Sequence, residues 1–297
     1  ATGKVLPNPE QPRRIEVLQS GAIAAGASFT SPEDYGMGPI AAIHSPQYLT
    51  FLQTIYSRWS RLENSGPEVI PNIHPKARSD NYPKSAVGQA GYHQADTACP
   101  INGDTWGSVY WSAQTAISAA ELIKKGNDCA YALSRPPGHH ASDGTASGFC
   151  YYNTAAIAAR YAQSYLGFGR VLIADFDLHQ GDGTLEVVGE DSEIYYFSVH
   201  HRGIFPHNPS IETLQGPTTM NIAIEGEDRA AVGRQHFAKT LPELMKKFKP
   251  DLVIVSAGFD GHHAEEMVEA NLGYTDNDYY EITQSLVKIA EQHARGR

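Results

Sequence analysis

The chain alternates short apolar runs with stretches in which apolar residues recur every three or four positions. Apolar runs bounded by glycine or polar residues predict buried strands, and the longer spacing predicts helices that bury one face. The predicted strands lie at 129–133, 171–176, 194–199 and 252–257. The predicted helices lie at 46–56, 106–125, 154–166, 237–248 and 278–293. Such alternation predicts a single α/β domain with a central parallel β-sheet flanked by helices on both faces.

One segment, 65–105, departs from this alternation. It is rich in proline and glycine and shows no sustained periodicity, so we predict a long loop. Loops of this length inside a compact domain are usually functional or interfacial. We therefore interpret 65–105 as part of the domain rather than as a linker between two domains.

Composition limits the classes of partner. The 297 residues, 41% of them apolar, fit one large α/β domain. A net charge of -10 argues against nucleic acid or an anionic membrane as the partner and favours a cationic ligand. The three cysteines form no CxxC motif, which indicates neither a disulfide framework nor a thiolate zinc site. With no signal-peptide pattern visible, we expect a reducing, cytoplasmic location.

Carboxylates and an imidazole follow two of the predicted strands. Asp177 and His179 come directly after strand 171–176, and residues two apart in an extended segment point to the same side. Asp175 lies on that side too, and an unpaired carboxylate would be costly to bury there. A metal ion, together with groups that hydrogen-bond to its ligands, would explain Asp175, Asp177 and His179. Asp260 follows strand 252–257 and completes an O, N, O ligand set. Three protein ligands leave a position open for water and substrate, which is typical of a hydrolase.

Two adjacent histidines, His139 and His140, follow the strand predicted at 129–133 in the sequence RPPGHH. Adjacent histidines in a loop are often only a surface feature. A position after a buried strand, on a backbone fixed by two prolines, favours a functional role. From this segment alone, both interpretations stay open.

Four motifs carry a family resemblance: RPPGHH at 135–140, GFCYYN at 148–153, DFDLHQGDGT at 175–184 and SAGFD at 256–260. In order and spacing they resemble the zinc-dependent histone deacetylase and acetylpolyamine amidohydrolase family, over roughly residues 40–297. The 79–97 segment and the IFPH sequence at 204–207 are more similar to bacterial acetylpolyamine amidohydrolases. The resemblance implies the arginase/deacetylase-like fold, and a homodimer in which 65–105 lies at the channel rim and the dimer interface.

The resemblance also implies two metal sites. The zinc ligands would be Asp177, His179 and Asp260, and Fe²⁺ would suit the same donors. A structural K⁺ or Na⁺ would lie beside this site. Its ligands would come from Asp175, Asp177, His179, Ser198 and Val199.

The remaining site residues follow from the same resemblance. His140 would be the general base towards a metal-activated water and then the acid for the leaving amine, assisted by Asp182. His139, bonded to Asp175, would act mainly as an electrostatic partner, because a carboxylate behind an imidazole fixes its tautomer and raises its pKa. A narrow substrate channel with an acidic rim residue would be lined by Gly148, Phe149, Phe205 and Asp96.

Two departures from the family pattern affect this interpretation. Gln180 stands where a second histidine is frequent, and we expect little effect because its side chain is outside the metal's ligands. None of the 16 tyrosines stands in the Gly-Gly-x-Tyr context of the family's oxyanion donor. We therefore expect a chain shortened at both ends, with that tyrosine beyond Arg297. If its absence is genuine, we expect a catalytically impaired protein that binds acetylated ligands.

The sequence thus predicts a zinc-dependent amidohydrolase that removes acetyl groups from acetylated linear amines, above all acetylpolyamines. A protein lysine deacetylase is the alternative if the channel mouth is open. A two-metal ureohydrolase is another enzymatic alternative, but it would need further Asp and His ligands for its second metal. His139 and His140 fit better as acid–base residues than as those ligands. A metal-bearing binding module without turnover is the non-enzymatic alternative.

Overall fold

The computed structural model describes residues 11–75, 81–266 and 270–297. Its helices are α1 (Arg13–Ala24), α2 (Gly38–Ala41), α3 (Pro46–Trp59), α4 (Ala86–His93), α5 (Thr105–Lys124), α6 (Thr154–Tyr161), α7 (Asp182–Val188), α8 (Arg229–Gln235), α9 (Leu241–Phe248) and α10 (Asp276–His293). Its strands are β1 (Val171–Asp175), β2 (Ile194–His201), β3 (Gln215–Gly216), β4 (Thr219–Ile224) and β5 (Leu252–Ser256). A π-helical turn, Ala162–Leu166, continues α6, and a second, His236–Thr240, joins α8 to α9.

The strands form one sheet in the order β3-β4-β2-β1-β5. The pairs β4/β2, β2/β1 and β1/β5 are parallel, and only the two-residue strand β3 at the edge pairs antiparallel. Parallel strands with helical crossovers place helices on the faces of the sheet. The predicted α/β fold with a mainly parallel central sheet is therefore confirmed.

The core lies on both faces of this sheet, because alternate residues of β1 point in opposite directions. Val171 and Ile173 pack into a cluster with α3, α5 and α6. Leu172 and Ala174 pack into a second cluster with α9 and α10. All five residues of β1 are buried, which accounts for its continuous apolar sequence.

The long predicted helices are confirmed, with α10 beginning two residues before the predicted position. The strand predicted at 129–133 is wrong, because this segment has no strand partner among the described residues. Its residues are exposed or half-buried, and an apolar run without a ladder to join does not form a strand. Strand β4 was not predicted, since its polar residues Thr219 and Asn221 interrupt the apolar pattern.

The 65–105 segment is mostly irregular, as predicted, but the prediction is wrong where α4 forms. Ser85 caps α4 by accepting a hydrogen bond from Gly88 N. Gly91 lets the chain near Ile73 pass close to the helix, because a Cβ at this position would lie 1.9 Å from the Ile73 carbonyl oxygen. The part at 76–80 lies outside the described residues, as do 1–10 and 267–269.

In the part of the chain that the structure describes, each helix is either too short or too polar to cross a bilayer.

Candidate active site

The carboxyl ends of β1 and β5 lie side by side, because Asp175 pairs with Ser256 in the parallel ladder. The loops that follow are tied together where Leu178 N donates to Asp260 Oδ1 at 3.1 Å. Each loop carries the acidic residues that the sequence singled out. This edge of an open α/β sheet is where such folds build their sites.

The three predicted metal ligands converge in these loops. One ligand atom from each of Asp177, His179 and Asp260 lies within 4.8 Å of the other two. His179 Nδ1 lies 3.1 Å from Asp177 Oδ1 and 2.9 Å from Asp260 Oδ2. The side chains meet through a folded loop rather than along an extended strand, since His179 N also donates to Asp177 Oδ1.

The electrostatics of this cluster suit a cation. Burial and the charge of Asp177 raise the pKa of Asp260, because two carboxylates share one small site. Burial lowers the pKa of His179, but the two carboxylates outweigh burial and raise it to about 10. Two carboxylate donors and one imidazole therefore fit a divalent metal such as Zn²⁺ or Fe²⁺.

A glycine makes room for one of these ligands. A Cβ on Gly258 would lie 2.0 Å from Asp177 Oδ2, a distance that real Cβ atoms do not reach. The glycine of the SAGFD sequence thus permits the close approach of β5 to the Asp177 carboxylate.

His139 is paired with two carboxylates in the interior. Its Nδ1 donates to Asp175 Oδ2 at 3.0 Å, and its Nε2 lies 3.7 Å from Asp177 Oδ2. Burial lowers the pKa of His139, yet Asp177 and Asp175 outweigh that effect and raise it to about 9. Asp175 is fully buried and also accepts hydrogen bonds from Tyr196 OH and Asp177 N. Tyr196 was not predicted as a site residue, because in the sequence it resembles any other core residue of β2.

For the pKa of His140, burial outweighs the nearby carboxylate. Its Nδ1 donates to Asp182 Oδ1 at 2.7 Å, and the ring is 5% exposed. Burial and the neighbouring charge of His139 lower the pKa of His140, with Asp182 only partly compensating. The pKa values of two adjacent imidazoles, with ring centroids 4.0 Å apart, are thus shifted in opposite directions.

The histidine pair is fixed by hydrogen bonds to neighbouring segments rather than by a preceding strand. Thr184 N donates to the His139 carbonyl oxygen at 2.9 Å. Asn153 Nδ2 donates to the Ala141 carbonyl oxygen at 3.0 Å, and Asn153 Oδ1 caps α6 by accepting from Ala156 N. Asn153 was named only as part of a motif, although an asparagine one residue before a helix is a recognisable cap.

Two of the predicted channel residues, Phe205 and Gly148, lie beside His140. The Phe205 ring packs edge-on against His140, with centroids 4.8 Å apart, and also faces His179 at 6.3 Å. A Cβ on Gly148 would lie 2.5 Å from His140 Cδ2 and 2.9 Å from Phe205 Cε1. Phe149 is half-buried beside Gly148.

Asp96, predicted at the rim, has its carboxylate turned towards the protein. Oδ2 accepts hydrogen bonds from Gly148 N at 2.8 Å and Ser147 Oγ at 3.2 Å. Oδ1 accepts from Ala98 N at 2.8 Å.

The side chains predicted to hold a monovalent cation lie on neighbouring strands. Asp175 of β1 pairs in register with Ser198 of β2, and both are fully buried. Ser198 Oγ lies 2.9 Å from His200 Nδ1. The cation itself stays a prediction.

Known proteins resemble this chain over most of its length. A family model described as "Histone deacetylase domain" matches residues 8–297. Acetylpolyamine amidohydrolase of Burkholderia pseudomallei is 35% identical over 266 residues, covering 87% of this chain and 76% of that protein. Acetylpolyamine amidohydrolase 1 of Pseudomonas aeruginosa is 30% identical over 308 residues, covering 97% and 85%. A crystal structure of acetylpolyamine aminohydrolase from Burkholderia pseudomallei superposes with a TM-score of 0.83 at 33% identity, covering 91% of this chain and 80% of that one.

The fold, the site and these matches define the class of protein as a hydrolase that acts on acetylated amides. The chain belongs to the histone deacetylase family.

Proposed function

We propose that this protein removes acetyl groups from acetylated linear amines, with acetylpolyamines as the preferred substrates. The observation that carries the proposal is the convergence of the Asp177, His179 and Asp260 donors beside the His140–Asp182 pair. Zn²⁺ is the metal we propose for these donors. When bound, a divalent ion there would polarise the amide carbonyl and make water a stronger acid.

The protein's own groups divide the proton transfer. Asp182 accepts from Nδ1 of His140, which leaves Nε2 of that ring free to take a proton from water. The lowered pKa of His140 keeps the ring neutral and ready for this role, and the same atom then returns the proton to the leaving amine nitrogen. His139, whose Nδ1 donates to the buried Asp175, lies beside His140 and would act as an electrostatic partner for negative charge developing on the attacked amide.

Three observations support a slender, cationic substrate. Phe205 and the Gly148–Phe149 corner lie against His140, where they would confine an unbranched alkyl stem. The net charge of -10 favours approach of a cation. Two relatives that carry the name acetylpolyamine amidohydrolase match most of the chain.

We also propose that the protein is a homodimer with the 65–105 segment at the interface, and that the Asp175–Ser198 site holds K⁺ or Na⁺. Ile70 and Ile73 of this segment expose 41% and 61% of their surface. Sedimentation at micromolar concentration tests the dimer, with Ile73→Glu expected to yield monomers. A wild-type monomer would contradict it.

The function is tested by acetate release from acetylputrescine, acetylcadaverine, acetylspermidine and an acetyl-lysine peptide. We expect the acetylated diamines to show the highest kcat/KM. A better peptide substrate would favour protein lysine deacetylation instead. Binding of acetylated diamines without any acetate release would favour the binding-module alternative.

A further inference from the structure

The residues between Ser147 and Cys150 form a tight turn beside the candidate general base. Cys150 N donates to Ser147 O at 2.8 Å, and Ser147 N donates back to Cys150 O at 3.0 Å. The two central residues, Gly148 and Phe149, both have positive φ, at 51° and 68°. This pattern is that of a type I′ turn.

The sequence of this segment disfavours a type I′ turn. Type I′ turns favour asparagine, aspartate or glycine at both central positions, whereas a phenylalanine with positive φ is disfavoured by its Cβ. Phe149 therefore needs interactions from elsewhere to remain in this conformation. Gly148 has no room for a Cβ between His140 and Phe205, so a shift of the turn would displace His140 or Phe205.

Asp96 supplies these interactions. The segment before it runs beside the turn, since Ala146 N donates to His93 O at 2.8 Å and Ala95 N donates to Ala146 O at 2.9 Å. This pairing delivers the Asp96 carboxylate to Gly148 N and Ser147 Oγ. With Ala98 N on its other oxygen, the carboxylate has three protein donors for about four lone-pair sites.

We propose that Asp96 is a positioning residue that holds the Ser147–Cys150 turn, and with it the Phe149 wall and the packing against His140. This inference rests on the proposed deacetylase function. It differs from a rim residue that binds the substrate cation, because the role of Asp96 depends on accepting hydrogen bonds rather than on its charge. Asparagine keeps one acceptor oxygen for the turn, and alanine keeps none.

The test compares Asp96→Asn, Asp96→Ala and wild type on two substrates of equal length, a mono-acetylated diamine and the neutral N-acetyl alkylamine. Displacement of reacting groups by about 1 Å can cost roughly 10²-fold in rate. We expect Asp96→Ala to lower kcat/KM about 10- to 100-fold on both substrates alike, mainly through kcat. Asp96→Asn should lie between alanine and wild type on both. Bound metal should be unchanged, and Asp104→Ala, which removes an exposed carboxylate of equal charge, should behave as wild type.

The opposite pattern overturns the proposal. If Asp96→Asn and Asp96→Ala lose equally on the cationic substrate, through KM, and neither loses on the neutral one, Asp96 binds the ammonium. Wild-type rates in both variants would also overturn it. If Asp96→Ala does not fold, the substrate comparison for Asp96→Asn decides between the two roles.

A readout independent of turnover separates this inference from the proposed function. If the wild type hydrolyses neither substrate, the deacetylase function fails while the turn can still be examined. Hydrogen exchange at the Gly148 amide should then be slow in the wild type and at least 10-fold faster in Asp96→Ala. Equal exchange in both would show that Asp96 does not hold the turn.

Discussion

His139 and His140 are neighbours in the chain, but different carboxylates set their charges. His139 lies between the buried Asp175 and the proposed metal ligand Asp177, and these carboxylates raise its pKa against the effect of burial. His140 has one half-buried carboxylate, Asp182, and a positive neighbour. One ring is therefore suited to hold a proton and the other to move one.

This division predicts unequal losses on substitution. His140→Ala should lower kcat/KM by about 10²- to 10⁴-fold, because a positioned acid–base group contributes that much. His139→Ala should cost less, since it removes only electrostatic support. Steady-state kinetics with metal content as the control would check both variants. Equal losses at unchanged metal content would contradict the division while leaving the reaction class intact.

Gly258 leaves the space that the Asp177 carboxylate occupies. Gly258→Ala should displace the Asp177 carboxylate and weaken metal affinity about 10- to 100-fold, as disruption of groups that orient a ligand typically does. Gly107→Ala in α5 is the matched control, because nothing lies within 4 Å of its added Cβ. Competition with a chromogenic chelator measures the affinity. Unchanged affinity in Gly258→Ala would show that the ligand set tolerates the displacement.

At the scale of elements, a buried histidine joins the α2–α3 connection to the start of α6. His44 Nδ1 donates to the Asp143 carbonyl oxygen at 3.2 Å, and its Nε2 accepts from Asn153 N at 2.9 Å. The bond from Asn153 N requires the neutral ring, because a protonated Nε2 could not accept it. Burial lowers the pKa of His44 to about 4, although its hydrogen bonds partly oppose this.

The lowered pKa predicts a pH-dependent stability. The folded pKa of about 4 lies below the ordinary histidine pKa of 6.5, so the unfolded chain binds the proton more tightly. The contribution is complete above about pH 6.5 and is lost as the pH falls towards 4. Between pH 8 and pH 5 the wild type should lose about 2 kcal/mol of unfolding free energy from this group. His44→Gln, which keeps a donor and an acceptor, should lack this part of the pH dependence in urea denaturation, and identical profiles would contradict it.

The elements also show how far the sequence determines the fold. Strand β1 was predicted almost to its ends because its five residues are buried and the first four, Val171–Ala174, are all apolar. The 129–133 run has a similar composition but no ladder within the described residues, and hydrogen-bond partners distant in sequence are not encoded locally. Strand β4 was missed because Thr219 and Asn221 interrupt its apolar pattern, although it has a full parallel ladder with β2.

The residues predicted as metal ligands follow β1 and β5, two strands that were also predicted from the sequence. Asp177, His179 and Asp260 were predicted from strand ends and do converge. The supporting contacts were not foreseen, because Tyr196 and His44 are single residues without a motif. Their roles depend on side chains brought together by tertiary packing.

At the scale of the whole molecule, the charge of -10 should influence which substrates reach the channel. Raising the ionic strength from about 0.01 M to about 0.15 M shortens the Debye length from roughly 30 Å to roughly 8 Å. KM for a mono-acetylated diamine should therefore rise with salt, while KM for a neutral N-acetyl alkylamine stays constant. Initial rates at several salt concentrations measure both. If KM changed equally for both substrates, the electrostatic field of the protein would not select cations.

We propose that the loops after β1 and β5 form a deacetylase site that holds one metal ion. The most direct measurement is a titration of metal-free protein with Zn²⁺, following bound metal and acetate release from acetylputrescine in the same samples. We predict that both saturate together at one ion per chain, and that Asp260→Ala gives neither. Saturation at two ions per chain, or acetate release that persists after chelation, would contradict the account.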